Sequence, residues 1–120
     1  MAQKTYRDAI REALREELTR DERVLVMGEE VGVWGGTYAV TRSLYDEFGG
    51  TRIIDTPIAE AAIVGAAVGA AMGGLRPVAE LMTINFSLEA MDQIVNNVAK
   101  IHYMFGGQAK VPLVIRTPAG

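Results

Sequence analysis

The stretch of this sequence best suited to chemistry is Asp55-Thr56-Pro57-Ile58-Ala59-Glu60. A lone carboxylate, Glu60, opens an apolar run from Ala61 to Leu75, and no further charge follows until Arg76. If that run is a buried helix, Glu60 sits at the edge of an apolar, water-poor site. A carboxyl group held there can donate and accept a proton near neutral pH. The alternative is purely structural, because the helix macrodipole favours an acidic residue in the first turn by about 0.3–1 kcal/mol. Placement directly after a strand supports the chemical reading, since open α/β sheets bind ligands beyond the carboxyl ends of their strands.

Other polar groups carry weaker signals. Glu29 and Glu30 follow a strand at Met27-Gly28-Glu29-Glu30; such a pair lines a crevice or forms a solvated turn, and taken alone the turn is the simpler reading. Phe86 follows a later strand and could stack on a ring, although an aromatic residue there commonly belongs to a core. His102 has no Ser or Asp partner at a suggestive spacing and reads as structural or surface. Gly32-Val33-Trp34-Gly35-Gly36 lacks the spacing of a dinucleotide loop, and no Lys-Ser or Lys-Thr follows a glycine loop, so no phosphate cradle is legible. Asp92, Asn96 and Asn97 lack a second oxygen-rich cluster and read as interface or capping groups rather than metal ligands.

The totals narrow the classes. The length of 120 residues allows one domain or part of one, and 49 % hydrophobic content is ample for a core. A net charge of −3 without a basic cluster argues against a nucleic-acid partner. With no cysteine there are no disulfides or thiolates. Residues 1–18 alternate charge with apolar residues, unlike a signal peptide, so a reducing cytoplasm, or a compartment derived from one, is expected. The Ala61–Leu75 run is too short and too rich in alanine and glycine for a bilayer span of roughly 20 residues, despite the membrane-like spacing of Gly65, Gly69 and Gly73.

Positioning elements follow from periodicity. Thr5 and Asp8 suggest a capping box for a first helix with Ala9, Ile10, Ala13, Leu14 and Leu18 on one face, ending before Asp21. Strands are expected at 24–27, 52–55, 77–82 and 111–116. A glycine-rich loop spans 31–38 and a short helix 41–48, closed by Gly49 and Gly50. Pro57 suits the first position of the helix that carries Glu60. Apolar residues from Phe86 to Tyr103 recur at helical spacing, up to Gly106-Gly107. Alternating strands and helices imply an α/β fold, a parallel sheet with helices on both faces. A sheet ending at the last strand would expose an edge, which suggests a truncated chain.

Several of these strings together resemble a known family. Met27-Gly28-Glu29-Glu30-Val31-Gly32, Gly35-Gly36-Thr37-Tyr38, Asp55 to Glu60, Gly73-Gly74-Leu75-Arg76-Pro77, Asp92-Gln93-Ile94 and Val111-Pro112 look like the N-terminal part of a beta subunit. The subunit is that of the thiamin-diphosphate-dependent component of 2-oxo acid dehydrogenase complexes, those of pyruvate dehydrogenase above all. Glu60 followed after four residues by Gly65-Ala66-Ala67-Val68-Gly69-Ala70 also resembles the pyrimidine-binding signature of thiamin-diphosphate enzymes. The resemblance makes residues 1–120 the first part of that pyrimidine-binding domain.

The resemblance implies roles. Glu60 matches the glutamate that hydrogen-bonds the pyrimidine ring nitrogen of thiamin diphosphate. Phe86 matches an aromatic residue packed on that ring, with Met82 and Ile58 as neighbours. Glu29 resembles an acidic residue of a channel linking paired active sites, and the Leu113 carbonyl resembles a ligand of a structural K+. The diphosphate and its Mg2+ would be held by an alpha subunit, consistent with the lack of a Gly-Asp-Gly motif here. The expected assembly is a heterotetramer of two alpha and two beta chains serving a lipoyl-bearing acyltransferase. The implied reaction is oxidative decarboxylation of a 2-oxo acid with acyl transfer to the lipoyl group, and these residues alone are expected to be inactive. The alternatives are a branched-chain 2-oxo acid or acetoin dehydrogenase beta subunit, or a non-catalytic interaction fragment.

Overall fold

In the computed structural model, which describes residues 3–119, the apolar residues of each strand alternate between two cores. The strands are β1 (Val24–Glu29), β2 (Ile53–Thr56), β3 (Arg76–Glu80) and β4 (Val114–Arg116). All pair in parallel, in the order β2-β1-β3-β4. On one face Val24, Val26 and Ile53, with Val78, pack against Leu14 and Leu18 of α1 (Tyr6–Arg20) and Leu44 of α2 (Leu44–Phe48). On the other, Leu25, Met27 and Ala79 meet Ile63, Val64, Ala67 and Val68 of α3 (Glu60–Met72). Ala90, Ile94, Val98 and Ile101 from the segment after β3 complete that second core. The expected parallel α/β sheet with helices on both faces is the observed one. No helix among the described residues is long and apolar enough to cross a membrane.

Local chemistry explains most of the boundaries. The Thr5 hydroxyl accepts from the Asp8 amide at 3.1 Å and so caps α1 as expected. Arg52 holds the other end of α1: its guanidinium donates to the carbonyls of Leu18, Asp21 and Val24 at 2.9, 3.0 and 2.5 Å and lies over the Phe48 ring. β1 runs two residues further than expected because Gly28 still pairs with β2 and β3, and Glu29 with β2. Strand β3 stops at Glu80 and leaves Met82 in the following bend, while β4 forms only over its last three residues.

Three expectations are corrected. The helix expected over 41–48 is a single turn, since Thr41 is buried with its hydroxyl donating to the Val31 carbonyl, and Ser43 is left-handed. Pro57 is not the first helical residue: Ala59 is extended (φ −164°, ψ 80°) and α3 begins at Glu60. The long helix expected over 86–103 is broken into a 3-10 stretch (Ile84–Ala90), a π stretch (Gln93–Val98) and α4 (Ile101–Met104). Its β-branched residues and asparagines are weak α-formers, and tertiary packing on α3 sets its path instead.

Candidate functional site

Parallel pairing brings the carboxyl ends of all four strands to one edge, and the residues there are Glu29, Thr56, Glu80 and Arg116. The chain leaves β1 toward β2 and returns across it to β3, so the topological switch lies between β1 and β3. That is where open α/β sheets form ligand crevices. Glu29 ends β1 opposite Thr56, four residues ahead of Glu60 at the start of α3.

Glu60 is half-buried and carries no capping partner, since Ala59 has no side-chain acceptor to offer. Glu29 is also half-buried. Desolvation pushes its carboxyl above the ordinary glutamate range, and the charges of Glu30 and Glu60 push it further. The structure therefore brings Glu29 and Glu60 into one electrostatic neighbourhood. Glu30 is exposed in a left-handed conformation and turns the chain away from the sheet.

Apolar side chains stand on the connections that leave β2 and β3 at this edge. Ile58, in the β2–α3 connection, is 74 % exposed, and Phe86, in the 3-10 stretch, is 42 % exposed. Met82 is half-buried, and its carbonyl accepts from the Thr37 hydroxyl at 3.2 Å. Leu113, by contrast, precedes β4 and so lies at the opposite, amino end of the sheet, half-buried against the α3-side core. Among the described residues no group of three or more His, Cys, Asp or Glu gathers to hold a metal ion. Asn96 and Asn97 bond back to Asp92 and Gln93 at 2.7 and 2.8 Å, and the exposed His102 places Nδ1 2.8 Å from the Ala109 carbonyl.

The loop from Glu30 to Ser43 hangs over the same sheet edge and exposes Val33, Trp34 and Tyr38. It is tied down at many points. Asp55 accepts from the amides of Gly32 at 2.6 Å and Val33 at 3.4 Å. Arg11 donates to the carbonyls of Ala39 and Val40. Under Gly36 lies Glu80, 2 % exposed, paired with Arg116 at 2.5 Å. Sequence reading missed Asp55 and the Glu80–Arg116 pair as anchors. The signal was a single charge closing each of two otherwise apolar strands, at Pro77-Val78-Ala79-Glu80 and Val114-Ile115-Arg116.

Known proteins match the sequence along nearly its whole length. The chain is 56 % identical over 116 residues to the "Pyruvate dehydrogenase E1 component subunit beta" of Rickettsia felis, covering 97 % of this chain and 36 % of that one. The mitochondrial subunit of the same name from Dictyostelium discoideum is 56 % identical over 116 residues, 97 % of this chain and 33 % of that one. The human mitochondrial subunit is 54 % identical over 118 residues, 98 % of this chain and 33 % of that one. The chain thus spans about a third of the length of the relatives it matches. The family described as "Transketolase, pyrimidine binding domain" matches residues 2–120, and the chain belongs to that family.

Proposed function

We propose that this chain is the pyrimidine-binding part of a pyruvate dehydrogenase beta subunit. In that role it helps decarboxylate pyruvate oxidatively and pass the acyl group to a lipoyl carrier. The observation that carries the reading is the placement of Glu60 beside Glu29 at the sheet's switch point, within a chain 54–56 % identical to subunits of that name.

The residues fit the pyrimidine half of thiamin diphosphate. A flat heteroaromatic ring with a hydrogen-bonding nitrogen suits a half-buried carboxyl flanked by the exposed Ile58 and Phe86 and by Met82. When bound, thiamin diphosphate supplies the electron sink for losing carbon dioxide from a 2-oxo acid. Glu60 would hydrogen-bond the ring nitrogen and supply the proton exchange there. Ile58, Met82 and Phe86 pack on the ring and exclude water. Glu29, its carboxyl pushed upward in pKa by burial and by the charges of Glu30 and Glu60, is the acidic residue that would line the channel between paired sites.

In this reading Mg2+ and the diphosphate are held by an alpha subunit, in a heterotetramer of two alpha and two beta chains that serves a lipoyl-bearing acyltransferase. The open, flanking exposure of Ile58 and Phe86 suits a site finished by another chain. The Leu113 carbonyl as a K+ ligand is a separate structural role at the far end of the sheet. The test is carbon dioxide release from a panel of 2-oxo acids by the full-length beta chain co-expressed with its alpha subunit. Release with pyruvate preferred and dependent on thiamin diphosphate is the expected result. Preference for branched-chain 2-oxo acids or acetoin, or a folded but inactive complex, would overturn it.

A further inference from the structure

The buried Glu80–Arg116 pair is a charged cluster at the sheet edge that the proposed chemistry does not use. Glu80 is 2 % and Arg116 15 % exposed at the side chain. Burial pushes the Glu80 carboxyl upward in pKa, and the Arg116 guanidinium and the Thr37 backbone N–H oppose that push. Two charges withdrawn from water lose hydration that their attraction only roughly offsets, and replacing such a pair by apolar residues is often neutral or stabilising. Stability alone is therefore a poor reason for this pair to stand here.

Its surroundings give a better one. A Cβ placed on Gly36 would lie 2.9 Å from Glu80 Oε1 and 3.0 Å from Thr41 Oγ1, so the backbone at Gly36 rests directly on the carboxylate. Gly36 has φ +70° and ψ 179°, a region open essentially to glycine alone, and Tyr38 and Ala39 follow with positive φ. Backbone held in such conformations persists only when its surroundings over-determine it. From this clamped turn two bonds reach the site: the Gly36 amide donates to the Glu30 carbonyl at 2.7 Å, and the Thr37 hydroxyl donates to the Met82 carbonyl at 3.2 Å. One fixes the corner that follows Glu29, and the other fixes the residue placed on the cofactor ring.

We propose that the Glu80–Arg116 pair is a positioning device, which clamps the Gly35–Thr37 turn onto the sheet edge and thereby sets Met82 and the Glu29–Glu30 corner for cofactor binding. The cofactor part rests on the function proposed above, whereas the clamping does not. The test uses the full-length beta chain assembled with its alpha subunit, in parent, Glu80→Gln and paired Glu80→Leu/Arg116→Met forms. Peptide-resolved hydrogen exchange, thermal midpoint and titration with thiamin diphosphate are read on each.

The paired variant is expected to keep the parent's thermal midpoint while amides of residues 30–43 exchange about tenfold faster than in the parent. Half-saturation by thiamin diphosphate should need about fivefold more cofactor, with kcat at saturation within about twofold. Unchanged exchange over 30–43, or exchange raised equally across α1 and β1, would overturn the clamp. If the paired variant fails to assemble, Glu80→Gln decides on the same exchange criterion. A parent that shows no dependence on thiamin diphosphate would refute the proposed function but leave the exchange comparison able to decide the clamp.

Discussion

Two glycine-to-alanine changes, at Gly28 and Gly69, should move stability in opposite directions. Gly28 sits in β1 between two paired strands, opposite Asp55 and Glu80. A Cβ there would meet the Glu80 carbonyl oxygen at 2.5 Å, the Glu80 Cβ at 3.0 Å and Val31 Cγ1 at 3.1 Å. The nearest obstacle is backbone within a hydrogen-bonded ladder, so relief requires β1 and β3 to move apart at the centre of the sheet. Overpacking commonly costs about 1–3 kcal/mol, and an immovable backbone neighbour puts this site at the upper end. Stiffening of the unfolded chain returns about 0.4–1 kcal/mol, leaving a net loss of about 2 kcal/mol. Gly69 lies inside α3 with nothing within 4 Å of the added carbon, so alanine there gains its helix propensity of about 0.8–1 kcal/mol. Urea unfolding of the unassembled beta chain, followed by circular dichroism, reads both. With a slope of about 2 kcal/mol/M the midpoints should shift by roughly 1 M down for Gly28→Ala and 0.5 M up for Gly69→Ala. A Gly28→Ala midpoint at or above the parent's would refute the steric argument, and a lowered Gly69→Ala midpoint would refute the claim of open space.

Other perturbations test the site and its supports. Glu60→Gln should leave the assembled enzyme folded but remove most carbon dioxide release, by at least about 100-fold, because the amide hydrogen-bonds without exchanging a proton; turnover near the parent's would sink its assigned role. Glu29 carries a folded pKa above its ordinary value of 4.5, so the folded chain binds its proton more tightly than the unfolded chain. Its contribution is present below that value and is lost as pH rises through the folded pKa. Glu29→Gln should therefore raise the neutral-pH melting temperature relative to the parent, with the gain fading well below pH 4.5, and a gain larger in acid than at neutrality would contradict this. Arg52→Met should lower stability by about 2–3 kcal/mol in urea unfolding, since it strips charged donors from three backbone carbonyls. Asp55→Ala should speed amide exchange at Gly32 and Val33 without speeding it in α1, and equal protection would show that the carboxylate does not anchor the loop.

Strong, local signals were legible in the sequence. The Thr5 cap, the four strands and the glycine-rich helix with Glu60 in its first turn each follow from a few adjacent residues with one dominant preference. The parallel sheet follows from their alternation. The boundaries that escaped depend on partners distant in sequence. Thr41 is pulled out of a helix by the Val31 carbonyl, and β1 is carried through Gly28 by neighbours on both sides and on to Glu29 by β2. The break-up of 84–104 is a third case, because apolar spacing cannot distinguish α from 3-10 or π winding over two turns. At the site, Glu29 and Glu60 could be nominated from strand-end placement, but their mutual influence needed the register of β1 against β2.

The alternation of side chains along a strand also explains why three acids at one edge do different work. Gly28 belongs to the α1 side of the sheet with Val24 and Val26, so Glu29 falls on the α3 side with Leu25 and Met27. Helix α3 opens on that side, and Glu60 stands at its first position. Glu80 follows Val78 on the opposite side, under the glycine loop, where Arg116 of the neighbouring strand faces it. The cation that ends β4 is thus committed to the acid on the loop side. Burial pushes the Glu29 carboxyl up, and the like charges of Glu30 and Glu60 add to that push. A one-residue slip of β3 against β1 would carry Glu80 to the α3 side and strip the loop of its support. The same period of two that divides the cores therefore sets the paired Glu80 under the glycine loop and Glu29 on the side where α3 opens with Glu60.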